Sequence, residues 1–234
     1  MTTHNLFAFG DSHTYGFGLP DIWDPAIPNY YSVPTDYDSL TPYILRGSKL
    51  VWANVLAEKL NQRCYNYAIS GSSNKEILWQ LKKVISANMI HPGDTVVIQW
   101  AFFGRHCIIS GPSSQDVDNI DRIWHTSASE REVTYYTRYY VEYDAQIETW
   151  NRIHYAHLLL AELGVKSYHM LSDSEQTEMP RPYIAHNVHI LKTTIADVED
   201  QAYNNNWPRA ADDRHQGPEA HMYLGNKFYE MIKG

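Results

Sequence analysis

Four short apolar segments have the length and residue types of buried β-strands. They cover residues 5–9, 64–69, 95–101 and 165–171. Short apolar runs bounded by polar residues are typical of strands that are covered on both faces. A fifth segment, residues 186–191, alternates weakly between polar and apolar side chains, and its pattern fits a strand, a loop or the start of a helix.

Between these segments, apolar residues recur every three or four positions, which is the period of an amphipathic helix. This pattern predicts helices over residues 50–60, 74–87 and 133–163 and a last helix that begins near Gly217. The 133–163 segment contains no Pro or Gly, and Gly164 follows it where a helix C-cap is expected. Strands that alternate with helices predict a three-layer α/β/α sandwich with a mostly parallel, flavodoxin-like central sheet.

Two long segments interrupt this alternation. Residues 19–49 contain five prolines and four tyrosines, and residues 109–131 are polar and rich in Ser and Asp. Both segments follow the carboxyl ends of predicted strands, where loops commonly shape a binding site. The alternative is a surface excursion that never touches a substrate. The sequence has no internal repeat, and we expect one domain over residues 1–234 with these two loop insertions.

Composition narrows the classes of partner. The net charge of the 234-residue chain is −8 and charges of both signs are interspersed, which argues against a nucleic-acid backbone as partner. No apolar run is long enough for a membrane span. The first residues lack the basic and apolar regions of a secretory signal, so we expect a cytoplasmic protein or one that belongs to a non-classically exported or viral assembly. Cys64 and Cys107 are expected to be buried thiols.

Aromatic residues are unusually frequent, with 18 tyrosines and 7 tryptophans. A tyrosine ring combines an apolar face with a polar tip, which suits contacts with sugars or with protein surfaces. The alternative is that these rings cover a large amphipathic surface of the protein itself.

Polar residues that could take part in catalysis directly follow the first predicted strand. Gly10-Asp11-Ser12-His13 forms a turn that places the Ser12 hydroxyl at the carboxyl end of that strand, where open α/β sheets bind ligands. We interpret Asp11 as a hydrogen-bonding brace of the turn, and a contact between His13 and a substrate is a lesser alternative. Taken alone, the turn also fits a serine that merely caps a helix.

A second constellation lies near the other end of the chain. Asp212 and His215 are three residues apart, as an imidazole base and the acid that orients it require. Asp213 competes for the role of the acid, but the spacing to the histidine favours Asp212. A serine, a histidine and an acid from two distant segments would together complete a catalytic triad.

These motifs resemble the GDSL/SGNH hydrolase family. Gly10-Asp11-Ser12 resembles the first block of that family, residues 66–71 (Asn-Tyr-Ala-Ile-Ser-Gly) the second, and Asp212-x-x-His215 the last. The resemblance implies a serine esterase in which Ser12 is the nucleophile, His215 the base and Asp212 the orienting acid. It also implies that the backbone N–H groups of Ser12 and Gly71 form the oxyanion hole.

The third block of the family, Gly-x-Asn-Asp, is missing, because residues 96–105 contain no asparagine. Asn74, Gln99 and Arg105 are candidates to replace that oxyanion donor or to contact the substrate. Asn74 alternatively caps the next helix. Arg105 alternatively binds a substrate carboxylate or pairs with an acidic residue of the protein.

The sequence therefore predicts a serine hydrolase that cleaves an O-acetyl or other short-acyl ester on a carbohydrate through an acyl-enzyme, with a small-molecule or glycan ester as partner. A non-catalytic glycan- or protein-binding module on the same fold and an acyltransferase are the alternatives. We expect no metal and no other cofactor, because the pairs His154/His157 and His186/His189 lack the further ligands of a zinc site. The oligomeric state is left open.

Overall fold

The computed structural model describes residues 4–23, 48–112, 118–123, 129–173 and 188–234. Its strands are β1 (Asn5–Phe9), β2 (Arg63–Asn66), β3 (Thr95–Gln99), β4 (His106–Pro112), β5 (Asp118–Ile123), β6 (Lys166–Met170) and β7 (His189–Ile190). Its helices are α1 (Ser12–Tyr15), α2 (Trp52–Leu60), α3 (Asn74–Ser86), α4 (Glu130–Arg138), α5 (Glu142–Glu162), α6 (Ile195–Asn204) and α7 (Pro218–Lys233).

The central sheet has five strands in the order β2-β1-β3-β6-β7, and each neighbouring pair is parallel. This is the predicted flavodoxin-like arrangement. Strand β1 lies between β2 and β3, so the order of the strands changes direction between β1 and β3. At such a switch point the chain connections leave from opposite faces of the sheet, and a crevice opens between them at the carboxyl ends of β1 and β3. Ser12 and Gln99 lie at those two ends.

The two faces of the sheet bury separate apolar clusters. Along β1, Leu6 and Ala8 face the cluster formed with α2, α6 and α7, whereas Phe7 and Phe9 face the cluster formed with α3 and α5. Successive side chains of a strand point to opposite faces, so a strand that is apolar throughout supplies both layers. The short apolar runs of the sequence reflect this two-sided burial.

The long helix predicted over residues 133–163 is two helices, α4 and α5. Val141 is extended between them, with φ −124° and ψ 115°. The two helices pack on different partners: the Tyr136 hydroxyl of α4 donates to the backbone oxygen of Ile123 at 3.0 Å, whereas α5 buries Trp150 and Ile153 against the sheet. One straight helix cannot present both surfaces, and a β-branched residue is well suited to the extended break.

The insertion predicted over residues 109–131 is partly regular. Strands β4 and β5 form an antiparallel two-stranded sheet, and Arg122 of β5 binds the buried carboxylate of Glu76 on α3 through two nitrogens at 2.6 and 3.1 Å. Residues 24–47 of the other insertion lie outside the described residues. The segment 186–191 contributes the short strand β7, whereas residues 186 and 187 are outside the description.

Helix α6 was not predicted, although the sequence carries a signal for it. Thr194 and Asp197 form a capping box, in which each side chain accepts a hydrogen bond from the backbone of the other residue. Elsewhere, Cys64 and Cys107 are buried free thiols as expected. Within the described ranges, no helix has the length and apolar character that crossing a membrane requires.

Candidate active site

The turn after β1 is built around Asp11. Its Oδ1 atom accepts the backbone N–H of His13 at 3.0 Å, which caps the single turn of α1. Gly10 must lack a side chain, because a Cβ there would lie 2.3 Å from Oγ1 of Thr14 and 2.8 Å from Oε1 of Gln99. The interpretation of Asp11 as a brace of the turn is confirmed.

Side chains from neighbouring strands fix this turn. Oε1 of Gln99 accepts the backbone N–H of Asp11 at 3.2 Å and the hydroxyl of Thr14 at 3.1 Å. Asn66 donates through Nδ2 to the backbone oxygen of Thr14 at 2.6 Å. Arg105 binds Oδ2 of Asp11 at 2.5 Å. Ser12 is therefore held on a turn whose backbone is braced by side chains of β2 and β3 and whose Asp11 carboxylate is bound from the segment after β3.

The acid and the imidazole near the end of the chain are hydrogen-bonded to each other. Nδ1 of His215 lies 2.5 Å from Oδ2 of Asp212. Oδ1 of the same carboxylate accepts the backbone N–H groups of Arg214 at 3.2 Å and of His215 at 3.1 Å. Asp213 is exposed and adopts a left-handed φ of 56° at the tip of the loop. Of the two candidate acids, Asp212 is the one that contacts the imidazole.

Tertiary contacts bring this pair to the turn that carries Ser12. The ring centroid of His215 lies 5.3 Å from that of His13 and 5.2 Å from that of Phe17. The backbone N–H of Ala211 donates to the oxygen of Gly18 at 2.8 Å, which ties the Asp212 loop to the segment after α1. Ser12 is buried, and no described residue hydrogen-bonds to its hydroxyl. Catalytic hydrogen bonds are often incomplete in the absence of substrate.

Electrostatics favour a charged carboxylate and a neutral imidazole. Burial lowers the pKa of His215 below its usual 6.5, and the neighbouring His13 lowers it further, against the opposing effect of Asp212. Burial raises the pKa of Asp212, but the hydrogen bonds from His215 outweigh this effect and leave that pKa below its usual value. At neutral pH this combination provides a base that can accept a proton and an acid that orients it.

The ionised state of Asp11 is likewise maintained by its partners. Burial raises the pKa of Asp11, yet the Arg105 guanidinium and the hydrogen bond from the His13 backbone bring it below the usual 3.8. Of the roles that the sequence left open for Arg105, the structure shows the pairing with an acidic residue of the protein. The ion pair stabilises the turn rather than leaving that Nη1 donor for a substrate oxygen.

The two backbone N–H groups that the sequence predicts for the oxyanion hole belong to segments that lie side by side. The chain from β2 continues alongside β1, since Ile69 donates its N–H to the oxygen of Gly10 at 3.1 Å. Gly71 follows two residues later, with a left-handed φ of 80°. Within the part of the chain that the structure describes, no acceptor engages the backbone N–H of Ser12 or that of Gly71.

The side chains of Asn74 and Gln99 have no remaining amide proton for this purpose. Nδ2 of Asn74 donates to the Ala101 oxygen and to the Thr149 hydroxyl, both at 3.0 Å. Nε2 of Gln99 donates to the Trp100 oxygen and to the Ser172 hydroxyl, both at 2.9 Å. The expectation that either amide replaces the missing asparagine is therefore disfavoured. Asn74 does not cap α3 either, because Ser73 does.

A second hydrogen-bond chain, which the sequence pattern does not predict, reaches the same turn. Nδ1 of His13 lies 2.6 Å from Oε1 of Gln216, and Nε2 of Gln216 donates to Oε1 of Glu199 at 3.1 Å. Since the amide donates to the carboxylate, its oxygen faces His13. His221 of α7 is buried, and its Nδ1 accepts the backbone N–H of Trp52 at 3.4 Å.

Of the histidine pair on α5, His157 makes packing contacts. His157 binds the Ser167 hydroxyl at 3.2 Å, and its ring lies 6.5 Å from that of His169. Across the described ranges, no group of three or more His, Cys, Asp or Glu side chains is arranged to hold a metal ion.

No protein-family model matches the chain, and no curated protein is similar to it in sequence. Solved structures match its fold. A member of the lipolytic protein G-D-S-L family from Veillonella parvula is 10% identical, with 99% of each chain covered and a TM-score of 0.51. The psychrotrophic esterase EstA from Pseudoalteromonas sp. is 11% identical, with 98% of this chain and 97% of that chain covered and a TM-score of 0.54.

The chain has the GDSL/SGNH hydrolase fold. A carbohydrate esterase also shares it, at 11% identity and a TM-score of 0.50, with 100% of this chain and 66% of that chain covered. Identities this low establish the architecture alone, because one fold supports many reactions. The chemistry of this GDSL-fold chain must be argued from its own side chains.

Proposed function

We propose that the chain is a serine esterase that hydrolyses an O-acetyl or other short-acyl ester carried on a carbohydrate. The observation that carries this proposal is the hydrogen-bonded Asp212–His215 pair, which lies against the turn that presents Ser12. An alcohol, an imidazole and an acid contributed by two distant segments are the parts that acyl transfer requires. The GDSL fold is consistent with this chemistry.

In the first half of the reaction, Oγ of Ser12 attacks the ester carbonyl while Nε2 of His215 accepts the hydroxyl proton. Asp212, bound to Nδ1, fixes the tautomer and stabilises the imidazolium that forms. The backbone N–H groups of Ser12 and Gly71 donate to the carbonyl oxygen as it gains charge. The bond to the alcohol oxygen then breaks, and His215 returns its proton to that oxygen.

In the second half, water attacks the acyl-enzyme and gives its proton to His215. The bond between the acyl carbon and Oγ of Ser12 breaks, Oγ regains the proton, and the carboxylic acid leaves. An oxyanion donor typically contributes about 3 kcal/mol to this chemistry. Since the third-block asparagine is absent, we expect slower turnover than the same site would reach with a third donor.

The decisive experiment is a comparison of the wild-type protein with Ser12→Ala. We expect hydrolysis of p-nitrophenyl acetate by the wild type and loss of nearly all of it in the variant. A fluorophosphonate probe should form a covalent adduct with the wild type, and mass spectrometry should place that adduct on Ser12. Equal hydrolysis rates in both proteins, or an adduct elsewhere, would reject the mechanism.

A second candidate function is a glycan-binding module without turnover, which the missing oxyanion donor supports. The engaged amides of Asn74 and Gln99 favour it, because neither can supply the missing N–H. This candidate predicts glycan binding that Ser12→Ala leaves intact and no adduct with the probe. An acyltransferase would instead react with the fluorophosphonate probe at Ser12, and product analysis would detect an acylated acceptor.

A further inference from the structure

A cleft of about 310 Å³ borders His215 on the side of α6. Its size suits one small ligand. Its walls come from α6 and from the segment between α6 and α7, and it is open to solvent. The residues that line it and bear on its chemistry are Glu199, Tyr203, Asn206, Trp207, Arg209 and Gln216.

The aromatic part of the lining is braced from behind. Trp207 is half-buried against the core, and its ring centroid lies 5.6 Å from that of Tyr223 on α7. Its backbone N–H donates to the Ala202 oxygen at 2.9 Å. Tyr203, by contrast, is 82% exposed at the rim. The cleft therefore has one indole packed against the core and one exposed phenol against which a flat ligand can stack.

The polar part of the lining is also fixed in place. Glu199 is bound by the Gln216 amide, and Nη1 of Arg209 donates to the Arg214 oxygen at 3.2 Å. A carboxylate and a guanidinium in one small cleft would lose hydrogen bonds to water beneath an alkyl chain, which offers nothing in return. A ring bearing several hydroxyl groups would satisfy them. The lining thus favours a sugar over a fatty acyl chain.

The position of the cleft indicates which half of the ester it would hold. In acyl transfer the histidine gives its proton to the departing alcohol oxygen, so the alcohol lies on the histidine side of the bond. His215 lines this cleft, whereas Ser12, which would carry the acyl group, and Gly71, which would bind the carbonyl oxygen, do not. A ligand here is placed as the leaving alcohol.

We propose that this cleft is the alcohol subsite and that it holds the sugar ring whose acyl group is removed, with Trp207 as the stacking platform. This inference rests on the proposed esterase function and deepens it. Trp207 acts on specificity and does not take part in the chemical step.

The test uses two acetate esters. One is the fully acetylated methyl glucoside, and the other is p-nitrophenyl acetate, in which the alcohol is a phenol and not a sugar. The quantity compared is the ratio of kcat/KM for the sugar ester to kcat/KM for the aryl ester. For Trp207→Ala we expect this ratio to fall about tenfold, the loss expected for one aromatic stacking contact. Tyr203→Ala should lower it by a smaller factor and, because this side chain is exposed, should not disturb folding.

Tyr143→Ala is the matched control, since Tyr143 is 60% exposed on α5, which packs on the opposite face of the sheet. It should leave the ratio as in the wild type. A ratio that is unchanged in both Trp207→Ala and Tyr203→Ala overturns the subsite. Hydrolysis of the aryl ester without the sugar ester also overturns it but leaves the esterase function standing, whereas hydrolysis of neither ester rejects both.

Discussion

The carboxylate of Asp212 holds His215 twice, by the backbone N–H at 3.1 Å and by Nδ1 of the ring at 2.5 Å. Both bonds are local to one loop, so the loop itself sets the orientation of the imidazole. The neighbouring Asp213 points elsewhere and is exposed. This difference between two adjacent acids provides a matched pair of variants.

Asp212→Asn should lower kcat on an acetate ester by about 10⁴-fold, because an amide that donates to Nδ1 stabilises the wrong tautomer. Asp213→Asn removes the same charge one residue away and should change kcat less than twofold. Steady-state kinetics of both variants give the answer. Comparable losses in the two would show that Asp212 has no special role.

The activity should depend on pH through His215. Only the neutral imidazole accepts a proton, and burial together with His13 lowers the pKa of His215 below 6.5. The value of kcat/KM should therefore rise with pH through an apparent pKa below 6.5. His13→Gln removes one of the two effects that lower this pKa, so the rising limb should move to higher pH. If the rising limb of the His13→Gln profile stays in place or moves to lower pH, the assignment of His215 as the titrating base is contradicted.

The ion pair of Arg105 with Asp11 should contribute to stability. Arg105→Gln leaves a fully buried carboxylate without its cation, which typically costs about 3 kcal/mol. Denaturant unfolding at pH 7 measures the loss. Arg131→Gln is the control, because the pair of Arg131 with Asp121 is about half exposed on both sides and such pairs contribute about 0–1 kcal/mol.

The same ion pair has a pH signature. The pKa of Asp11 is lowered in the folded state, so its contribution to stability is complete above the usual value near 3.8 and is lost as the pH falls below it. The stability difference between the wild type and Arg105→Gln should therefore shrink in acid. A difference that stays constant down to pH 3 would show that the contribution of Arg105 is packing and not charge.

Gly18 should be required for activity through Asp212. A Cβ at Gly18 would lie 2.7 Å from Oδ1 of Asp212, and the backbone there has a left-handed φ of 80°. Gly18→Ala should cost about 1–2 kcal/mol from the backbone and also displace the carboxylate, so kcat should fall. Gly164→Ala carries the same backbone penalty at φ 70°, but its Cβ would make only an ordinary 3.6 Å contact with Pro92. This control should lose stability and keep its activity.

Residue order alone was enough to predict the features that depend on neighbours along the chain. Apolar runs with two-sided burial predicted the parallel sheet, and the spacing of Asp212 and His215 predicted the hydrogen bond that the loop contains. The Gly10-Asp11-Ser12 turn was likewise predictable, because Asp11 braces it through a bond to a residue only two positions away. Local hydrogen bonds and periodicity leave a direct trace in residue order.

Which polar groups remain available at the site depends on contacts between residues that are distant in sequence. Gln99 and Asn74 are the right residue types for an oxyanion donor, but partners distant in sequence take up their amide protons. The break between α4 and α5 depends on two different packing surfaces, and the cleft beside His215 exists only where α6 meets the loop that follows it. Burial and long-range hydrogen bonding set these outcomes, and neither is encoded in the spacing of residues along the chain.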